Sequence, residues 1–235
     1  MPIDFEVLAY DDTELGVLCL RRRRTLREPR KWVTEVTLNH EFLMSSLHTD
    51  SEEALARLAI ERVAGDDLHV LVGGLGLGYT AAAALDSKRV AQVQVVEFLP
   101  QVIQWMNGGL IPLSNQLKRD ARLSVVQGDV YTLLLSAPSD VRWDAIVIDV
   151  DHSPEDQLSS SDHGLYSLRG FELATKHLRP GGVIALWSYE GNDLLATAMR
   201  SAMVEVEVLP ITYHNQHVDE SFTDWLFVGK CARCN

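Results

Sequence analysis

The segment VLVGGLGLG, residues 70–78, is the part of this chain best suited to contact a ligand through its backbone. A run of Val and Leu leads into it, and Gly74, Gly76 and Gly78 alternate with leucine. Glycine lacks a Cβ, so it adopts unusual backbone angles and lets a ligand approach the main chain closely. The segment predicts a strand, a ligand-binding turn and a helix, although a tight turn without a ligand fits the same letters.

Acidic side chains follow the next three apolar runs. Glu97 lies 19 residues after the last glycine, where a carboxylate can accept both hydroxyl protons of a ribose. Asp129 follows the third run and can accept a hydrogen bond from an exocyclic amine such as that of adenine. Asp149, Asp151 and His152 follow the fourth, where the reactive end of a ligand is expected, and a histidine beside carboxylates titrates near neutrality. A solvated acidic loop is the alternative.

The elements that position these residues follow from the hydrophobic pattern. Short apolar runs at 68–72, 93–97, 123–127, 145–149 and 183–187 alternate with helical stretches. This alternation predicts an α/β fold with a Rossmann-like, doubly wound parallel sheet, whose ligand lies at the carboxyl ends of the strands. Runs at 204–209 and 225–228 have no helix between them and predict a closing antiparallel hairpin at one sheet edge.

The first fifty residues have a different character, with three short strand-like runs that predict a small β-hairpin element. Ser51 is predicted to cap a linking helix that runs from residue 52 to about residue 64. The basic stretch Arg21–Arg24 is expected on an exposed hairpin face or loop. We therefore expect an N-terminal unit over residues 1–65 and a ligand-binding catalytic domain over residues 66–235.

The composition excludes several classes of protein. The chain has 235 residues, and 21 Lys and Arg against 33 Asp and Glu give a net charge of −12, which disfavours nucleic acid as a partner. It has three cysteines, no basic leader and no apolar run of membrane-spanning length. We expect a cytoplasmic protein with no membrane partner, no disulfide framework and no metal site.

The ordered set of segments resembles the spermidine-synthase-like branch of the class I S-adenosylmethionine-dependent transferases. The matching segments are VGGLGLG (72–78), VVEF (95–98), QGD (127–129), WDAIVID (143–149), LYS (165–167) and LRPGG (178–182). The resemblance implies the class I methyltransferase fold, an S-adenosylmethionine or decarboxylated S-adenosylmethionine donor, and a homodimer.

Residue roles follow from the same resemblance. Gly74, Gly76 and Gly78 would line the amino-acid end of the donor, Glu97 would hold its ribose, and Asp129 would contact its adenine amine. Asp149 matches the strand-end aspartate that deprotonates the attacking amine in members that transfer an aminopropyl group. Together with Asp151 and His152, Asp149 makes up the predicted catalytic group.

Three departures from the aminopropyl-transferring pattern affect the predicted reaction. Those members carry an aspartate inside the glycine loop where this chain has Gly76, and a second aspartate where it has His152, beside Asp151. They also carry a Tyr-x-Glu pair near the linking helix, where this chain reads DSEEA over residues 50–54. Because these changes remove anions that a diamine needs, methyl transfer from intact S-adenosylmethionine to a small-molecule acceptor is the first prediction, with an amine among the candidate acceptors. Aminopropyl transfer is the alternative.

Two other classes remain open at this point. Residues 76–81 fit the G-x-G-x-x-A fingerprint of nicotinamide oxidoreductases, with Glu97 21 residues after Gly76. That reading gives no role to Asp129, to Asp149 or to the closing hairpin. A binding protein that keeps the pocket without turnover is the other candidate. Residues 153–163 are a candidate lid over the acceptor.

Overall fold

An antiparallel sheet of four strands forms the N-terminal part of the molecule. The structure, a computed structural model, describes residues 4–26, 28–150, 164–215 and 219–232. The strands, hydrogen-bonded in chain order, are β1 (Phe5–Thr13), β2 (Gly16–Arg24), β3 (Trp32–Leu38) and β4 (Glu41–Ser45). The predicted hairpin element is confirmed, and β4 is an additional strand that the sequence pattern did not indicate.

The basic stretch Arg21–Arg24 continues strand β2, so it lies on a hairpin face and not in a loop, with its side chains half-buried. Successive side chains of a strand point to opposite faces, so alternate arginines share a face. Arg21 and Arg23 pair with the buried carboxylate of Glu35 at N···O distances of 3.1 and 2.7 Å. Arg22 and Arg24 lie over the ring of Trp32. Each arginine therefore has a partner within the sheet.

Helix α1 (Asp50–Arg62) connects this sheet to the rest of the chain and packs against α2 (Tyr79–Asp86) and β9 (Leu178–Ser188). Its N-cap residue is Thr49, so the prediction that Ser51 caps the helix is wrong. Ser51 lies in the first turn, and its hydroxyl contacts a carboxylate 173 residues away, on the last strand. A tertiary hydrogen bond has taken the place of a local cap.

A seven-stranded sheet with helices on both faces forms the larger part of the molecule. Its strands are β5 (Leu68–Gly73), β6 (Val90–Glu97), β7 (Leu123–Gln127), β8 (Trp143–Ile148), β9 (Leu178–Ser188), β10 (Glu205–Asn215) and β11 (Glu220–Lys230). Its helices are α2 (Tyr79–Asp86), α3 (Pro100–Gly108), α4 (Ser114–Arg119), α5 (Val130–Leu135), α6 (Leu168–Ala174), a 3-10 turn (Thr175–His177) and α7 (Asp193–Ala202). The predicted α/β class is confirmed.

The strand order, β10-β11-β9-β8-β5-β6-β7, positions the candidate ligand site. The five strands from β9 to β7 are parallel, and β5 pairs with both β6 and β8. The order reverses at β5, so the crevice beyond the carboxyl ends of β5 and β8 is where this architecture binds ligands.

The closing hairpin, β10 and β11, extends beyond the end of the strand it pairs with, β9. Strand β11 pairs with β9 only from Trp225 to Lys230, whereas its pairing with β10 extends to Glu220. The part of β11 from residue 220 to residue 224 therefore projects past the end of β9. This projecting part forms one wall of the cavity described below.

The hydrophobic core continues from the N-terminal sheet into the large sheet. Leu18, Leu20 and Val36 of the first sheet belong to the same buried cluster as Leu55 of α1 and Val72 of β5. The division at residues 1–65 and 66–235 stays a prediction. Within the described ranges, no helix is long and apolar enough to span a membrane.

Candidate active site

The glycine-rich turn after β5 packs closely against the neighbouring strand end. Gly74 has φ of +89°, and a Cβ there would lie 2.4 Å from the carbonyl oxygen of Asp149. Gly78, with φ of +92°, is the N-cap residue of α2. Both positions require glycine, the first because of a backbone contact and both because of positive φ. The predicted strand, turn and helix are all present.

Glu97 holds this turn in place from the end of β6. Its Oε2 accepts a hydrogen bond from the backbone N–H of Leu75 at 2.7 Å, and its Oε1 accepts one from Leu99 at 2.8 Å. Burial raises the pKa of Glu97, while these backbone N–H groups act in the opposite direction. The side chain is only 7% exposed and lines the cavity beside the turn. Glu97 therefore shapes the turn in addition to its predicted contact with a ribose.

Asp129 is the N-cap residue of α5. Its carboxylate accepts hydrogen bonds from the backbone N–H of Tyr131 at 2.9 Å and from the hydroxyl of Thr132 at 2.7 Å. It also lines the same cavity as Glu97. Because a carboxylate has about four acceptor positions, two capping bonds leave room for a ligand amine.

The cavity beside the glycine turn, called the donor cavity below, is mostly apolar. The N-terminal sheet closes one side of it with Leu15, Leu18 and Met44. Helix α3 closes another side with Trp105, whose Nε1 donates to Asp11 of β1 at 3.3 Å. A mostly apolar cavity whose lining includes the acids Glu97 and Asp129 is chemically suited to a nucleoside.

Asp149 lies where the donor cavity meets a second cavity. It follows β8, lines both cavities, and its Oδ2 accepts a hydrogen bond from the Thr80 hydroxyl at 2.5 Å. Burial raises the pKa of Asp149 to about 6; the Thr80 hydrogen bond opposes this shift, and the charge of Asp224 adds to it. A carboxylate with that pKa is largely ionised at neutral pH and is a stronger base than an ordinary exposed aspartate.

The second cavity, called the acceptor cavity below, has a volume of about 590 Å³. Three further carboxyls line it: Glu52 from α1, Asp224 from the projecting part of β11, and Glu35 of β3, which pairs with two arginines of β2. Burial is the main cause that raises the pKa of Glu52 to about 8, and the charge of Asp149 raises it further. Burial also raises the pKa of Asp224. Together with Asp149, the carboxyls of Glu52 and Asp224 make the cavity attractive to cations.

Few positive charges balance these acids. Among the described residues that line the acceptor cavity, the basic side chains are Arg23 and His48. Arg23 already pairs with Glu35, and the ring of His48 stacks on Tyr213 with 4.7 Å between centroids. In the described part of its lining, the acceptor cavity therefore offers carboxyl groups with no lysine or second arginine to neutralise them.

Sequence reasoning missed Glu52 and Asp224. Glu52 lies in the first turn of a helix, where acids are common because they interact favourably with the helix dipole. Asp224 stands beside Phe222 and Trp225 in a strand, and an acid inside an apolar strand is the signal that could have identified it.

Met44 occupies the space next to Gly76. A Cβ at position 76 would lie 3.0 Å from the Met44 sulfur, and Gly76 has φ of +50°. The resemblance implies an aspartate here in aminopropyl-transferring members. In this chain, such a side chain would require Met44 to move, so the missing anion and the methionine are two parts of one local arrangement.

Two of the predicted catalytic residues, Asp151 and His152, lie outside the described residues, as does the candidate lid at 153–163. The other predicted site residues surround the donor cavity or the turn that borders it. Within the described part of the chain, no group of three His, Cys, Asp or Glu side chains is arranged to hold a metal ion.

The sequence of this chain is similar to that of one curated protein. The chain is 30% identical over 165 residues to a polyamine aminopropyltransferase from Corynebacterium efficiens, and the match covers 67% of this chain. The chain spans only 30% of the length of that relative. No family model matches the chain.

The fold of this chain is similar to the folds of several solved structures. Spermidine synthase from Thermotoga maritima aligns with a TM-score of 0.74 at 13% identity, over 97% of this chain and 73% of that one. A spermidine synthase in complex with the transition-state analogue AdoDATO aligns at 0.75 and 14%, over 97% and 74%. A putative methyltransferase from Thermoplasma acidophilum aligns at 0.53 and 12%, over 72% and 70%. The chain thus has a spermidine-synthase-like class I S-adenosylmethionine-dependent transferase fold, which confirms the resemblance.

Proposed function

We propose that this chain transfers an aminopropyl group from decarboxylated S-adenosylmethionine to a small amine. The observation that carries the proposal is the acceptor cavity, where Glu52, Asp149 and Asp224 line one space that adjoins the donor cavity. Carboxyl groups with raised pKa values gain most from a bound cation, because the cation restores the charge interactions that burial removed. Amines are the small-molecule cations suited to such a site.

The same charges discriminate between the two candidate donors. Intact S-adenosylmethionine carries a carboxylate, which the acids around Asp149 would repel and which needs a cation or free N–H groups as partners. The decarboxylated donor carries a sulfonium and an amine and lacks this carboxylate. Electrostatics therefore favour the decarboxylated donor and replace methyl transfer, the first prediction from sequence, with its alternative.

The donor cavity supplies the remaining contacts in the proposal. Glu97 holds the ribose hydroxyls, and Asp129 accepts a hydrogen bond from the adenine amine. Gly74 and Gly76 leave the backbone open for the side of the donor that carries sulfur. A bound donor would contribute a sulfonium, whose adjacent carbon is the electrophile.

Asp149 would act as the general base. The acceptor enters as an ammonium ion and must lose one proton before its nitrogen lone pair can attack. Asp149 accepts that proton; the nitrogen then forms a C–N bond as the C–S bond breaks, and the sulfur departs as neutral methylthioadenosine. Because Asp149 borders both cavities, it can deprotonate the amine next to the reacting carbon.

The relatives support the same reaction. The curated relative is named as a polyamine aminopropyltransferase, and two of the structural neighbours are spermidine synthases. The structural neighbour named as a methyltransferase has a lower TM-score and covers less of this chain.

Donor competition tests the proposal. Calorimetry with the full chain should give tighter binding for decarboxylated than for intact S-adenosylmethionine, and incubation of the decarboxylated donor with 1,4-diaminobutane should release methylthioadenosine. Tighter binding of the intact donor, together with methylation of the amine, would overturn the proposal in favour of methyl transfer.

A further inference from the structure

The segment that follows β5 contacts Asp149 at two points. The backbone N–H of Asp149 donates to the carbonyl oxygen of Gly73 at 3.0 Å, and the hydroxyl of Thr80 donates to Asp149 Oδ2 at 2.5 Å. Gly73 ends β5, and Thr80 lies in the first turn of α2, so the two contacts come from either side of the glycine-rich turn. One short segment therefore holds both the backbone and the side chain of Asp149.

Packing alone does not account for a threonine at position 80. Thr80 is 4% exposed, and the four residues that follow it in α2, Ala81–Ala84, are buried alanines. Threonine is a poorer helix former than alanine, and a buried hydroxyl is unfavourable unless it forms a hydrogen bond. Within the described residues, the hydrogen-bond partner of this hydroxyl is Asp149. The bond to Asp149 is therefore what threonine offers here and alanine or valine does not.

The same bond distinguishes the two carboxylate oxygens of Asp149. Oδ2 accepts from Thr80, whereas Oδ1 has no hydrogen-bond partner within the described residues. Each carboxylate oxygen can accept about two hydrogen bonds. Oδ1 therefore has its acceptor positions open to a ligand, and a proton taken from a ligand N–H goes to this oxygen.

The charges near Asp149 increase the importance of the Thr80 hydroxyl. In the described part of the chain, the charged groups that interact with Asp149 are Glu52 of α1 and Asp224 of β11, and both are acids. Burial and the charge of Asp224 raise the pKa of Asp149, whereas the hydrogen bond from Thr80 lowers it. Thr80 therefore keeps more of Asp149 ionised at neutral pH than the rest of its surroundings would allow.

We propose that Thr80 is a positioning residue for the transfer reaction, and that its hydroxyl holds Oδ2 of Asp149 so that Oδ1 accepts the proton of the acceptor ammonium. The inference rests on the proposed function, because Asp149 must act as the base. The proton moves from the acceptor nitrogen to Oδ1, and Thr80 keeps its own proton throughout. The segment after β5 thus orients the base in addition to bordering the donor cavity.

The pH profile of kcat/KM tests this role. Thr80→Val removes the hydroxyl at nearly constant volume, so the acid midpoint, expected near the Asp149 pKa of about 6, should rise. The expected rise is about one to two pH units, as for a lost hydrogen bond to a charged group. At pH 7, kcat/KM should then fall about 2–10-fold from the loss of ionised Asp149 alone. Thr80→Ser keeps a hydroxyl and should restore the original midpoint.

Two further variants keep the test decisive. Thr197→Val makes the same change at an exposed position of α7 and should leave the midpoint unchanged. Thr80→Ala matches the alanines that follow it and provides a second variant without the hydroxyl if Thr80→Val does not fold. An unmoved midpoint in a folded variant without the hydroxyl would overturn the proposal, whether or not kcat falls, because the hydroxyl would then have no effect on the base.

A measurement that needs no turnover separates this proposal from the proposed function. Carbon-13 NMR of the full chain labelled at aspartate follows the titration of Asp149 directly, with its signal identified by its loss in Asp149→Asn. A higher pKa of Asp149 in Thr80→Val, without release of methylthioadenosine by the unmodified chain, would contradict the transfer reaction and support the contact with Thr80. Transfer by the unmodified chain, with the same pKa of Asp149 in Thr80→Val, would support the reaction and contradict the role of Thr80.

Discussion

The donor cavity and the acceptor cavity share Asp149, yet the chain builds them in different ways. The acids of the donor cavity, Glu97 and Asp129, follow consecutive parallel strands and are fixed by local backbone hydrogen bonds. Two acids of the acceptor cavity, Glu52 and Asp224, come from a helix and from the last strand and meet at Ser51. The first cavity depends on strand topology and the second on tertiary packing, so changes in each should have different consequences.

The largest effect should come from the residue that both cavities share. Asp149→Asn removes the proposed base but keeps its size and its bond to Thr80, so kcat should fall about 10²–10⁴-fold. Affinity for methylthioadenosine, measured by calorimetry, should change little. A kcat within threefold of the original would show that Asp149 is not the base.

The second largest effect should come from a substitution in the donor cavity. In Glu97→Gln, an NH2 group must face the backbone N–H of Leu75 or of Leu99, so the turn loses an acceptor as well as the ribose contact. We expect methylthioadenosine to bind about 10–100-fold more weakly, as for a lost charged hydrogen bond. The affinity of the acceptor cavity for 1,4-diaminobutane should stay the same, and loss of both would show that the two cavities are not separable.

The pH dependence tests the shared residue in another way. Asp149 must be ionised to accept a proton, and its pKa is raised to about 6. Activity is therefore present above this pKa and lost as pH falls through it, and kcat/KM should be about tenfold lower at pH 5 than at pH 7. A flat profile of kcat/KM between pH 5 and pH 7 would contradict the assigned role.

The smallest expected effect is on thermal stability, and it comes from a substitution in the acceptor cavity. The pKa of Glu52 rises from 4.5 to about 8 on folding, so the folded state holds this proton more tightly and stability falls as pH rises between these values. Glu52→Gln mimics the protonated form and should raise Tm by about 3–6 °C at pH 9, with less effect at pH 5. Scanning calorimetry of the exposed control Glu61→Gln should show no such pH-dependent gain.

The same contrast explains what the sequence could predict. Apolar runs and the acids that follow them repeat at a readable spacing, so the α/β fold, the turn at Gly74 and the donor cavity could be predicted. The acceptor cavity depends on single residues far apart in the chain. Ser51 has the residue type and position of a helix cap, and only the folded structure shows that its hydroxyl turns towards Asp224. The pairing of Arg21 and Arg23 could not be predicted for the same reason, because their partner Glu35 lies on another strand.

The projecting half of the closing hairpin has a consequence for how such a protein can diversify. Residues 220–224 extend past the end of β9 and carry Asp224, while none of them lines the donor cavity. Exchange of this short segment, together with its partner on β10, would change the cavity wall that meets the acceptor and leave the nucleoside contacts intact. The fold thus allows the wall of the acceptor cavity to vary while the donor cavity stays unchanged.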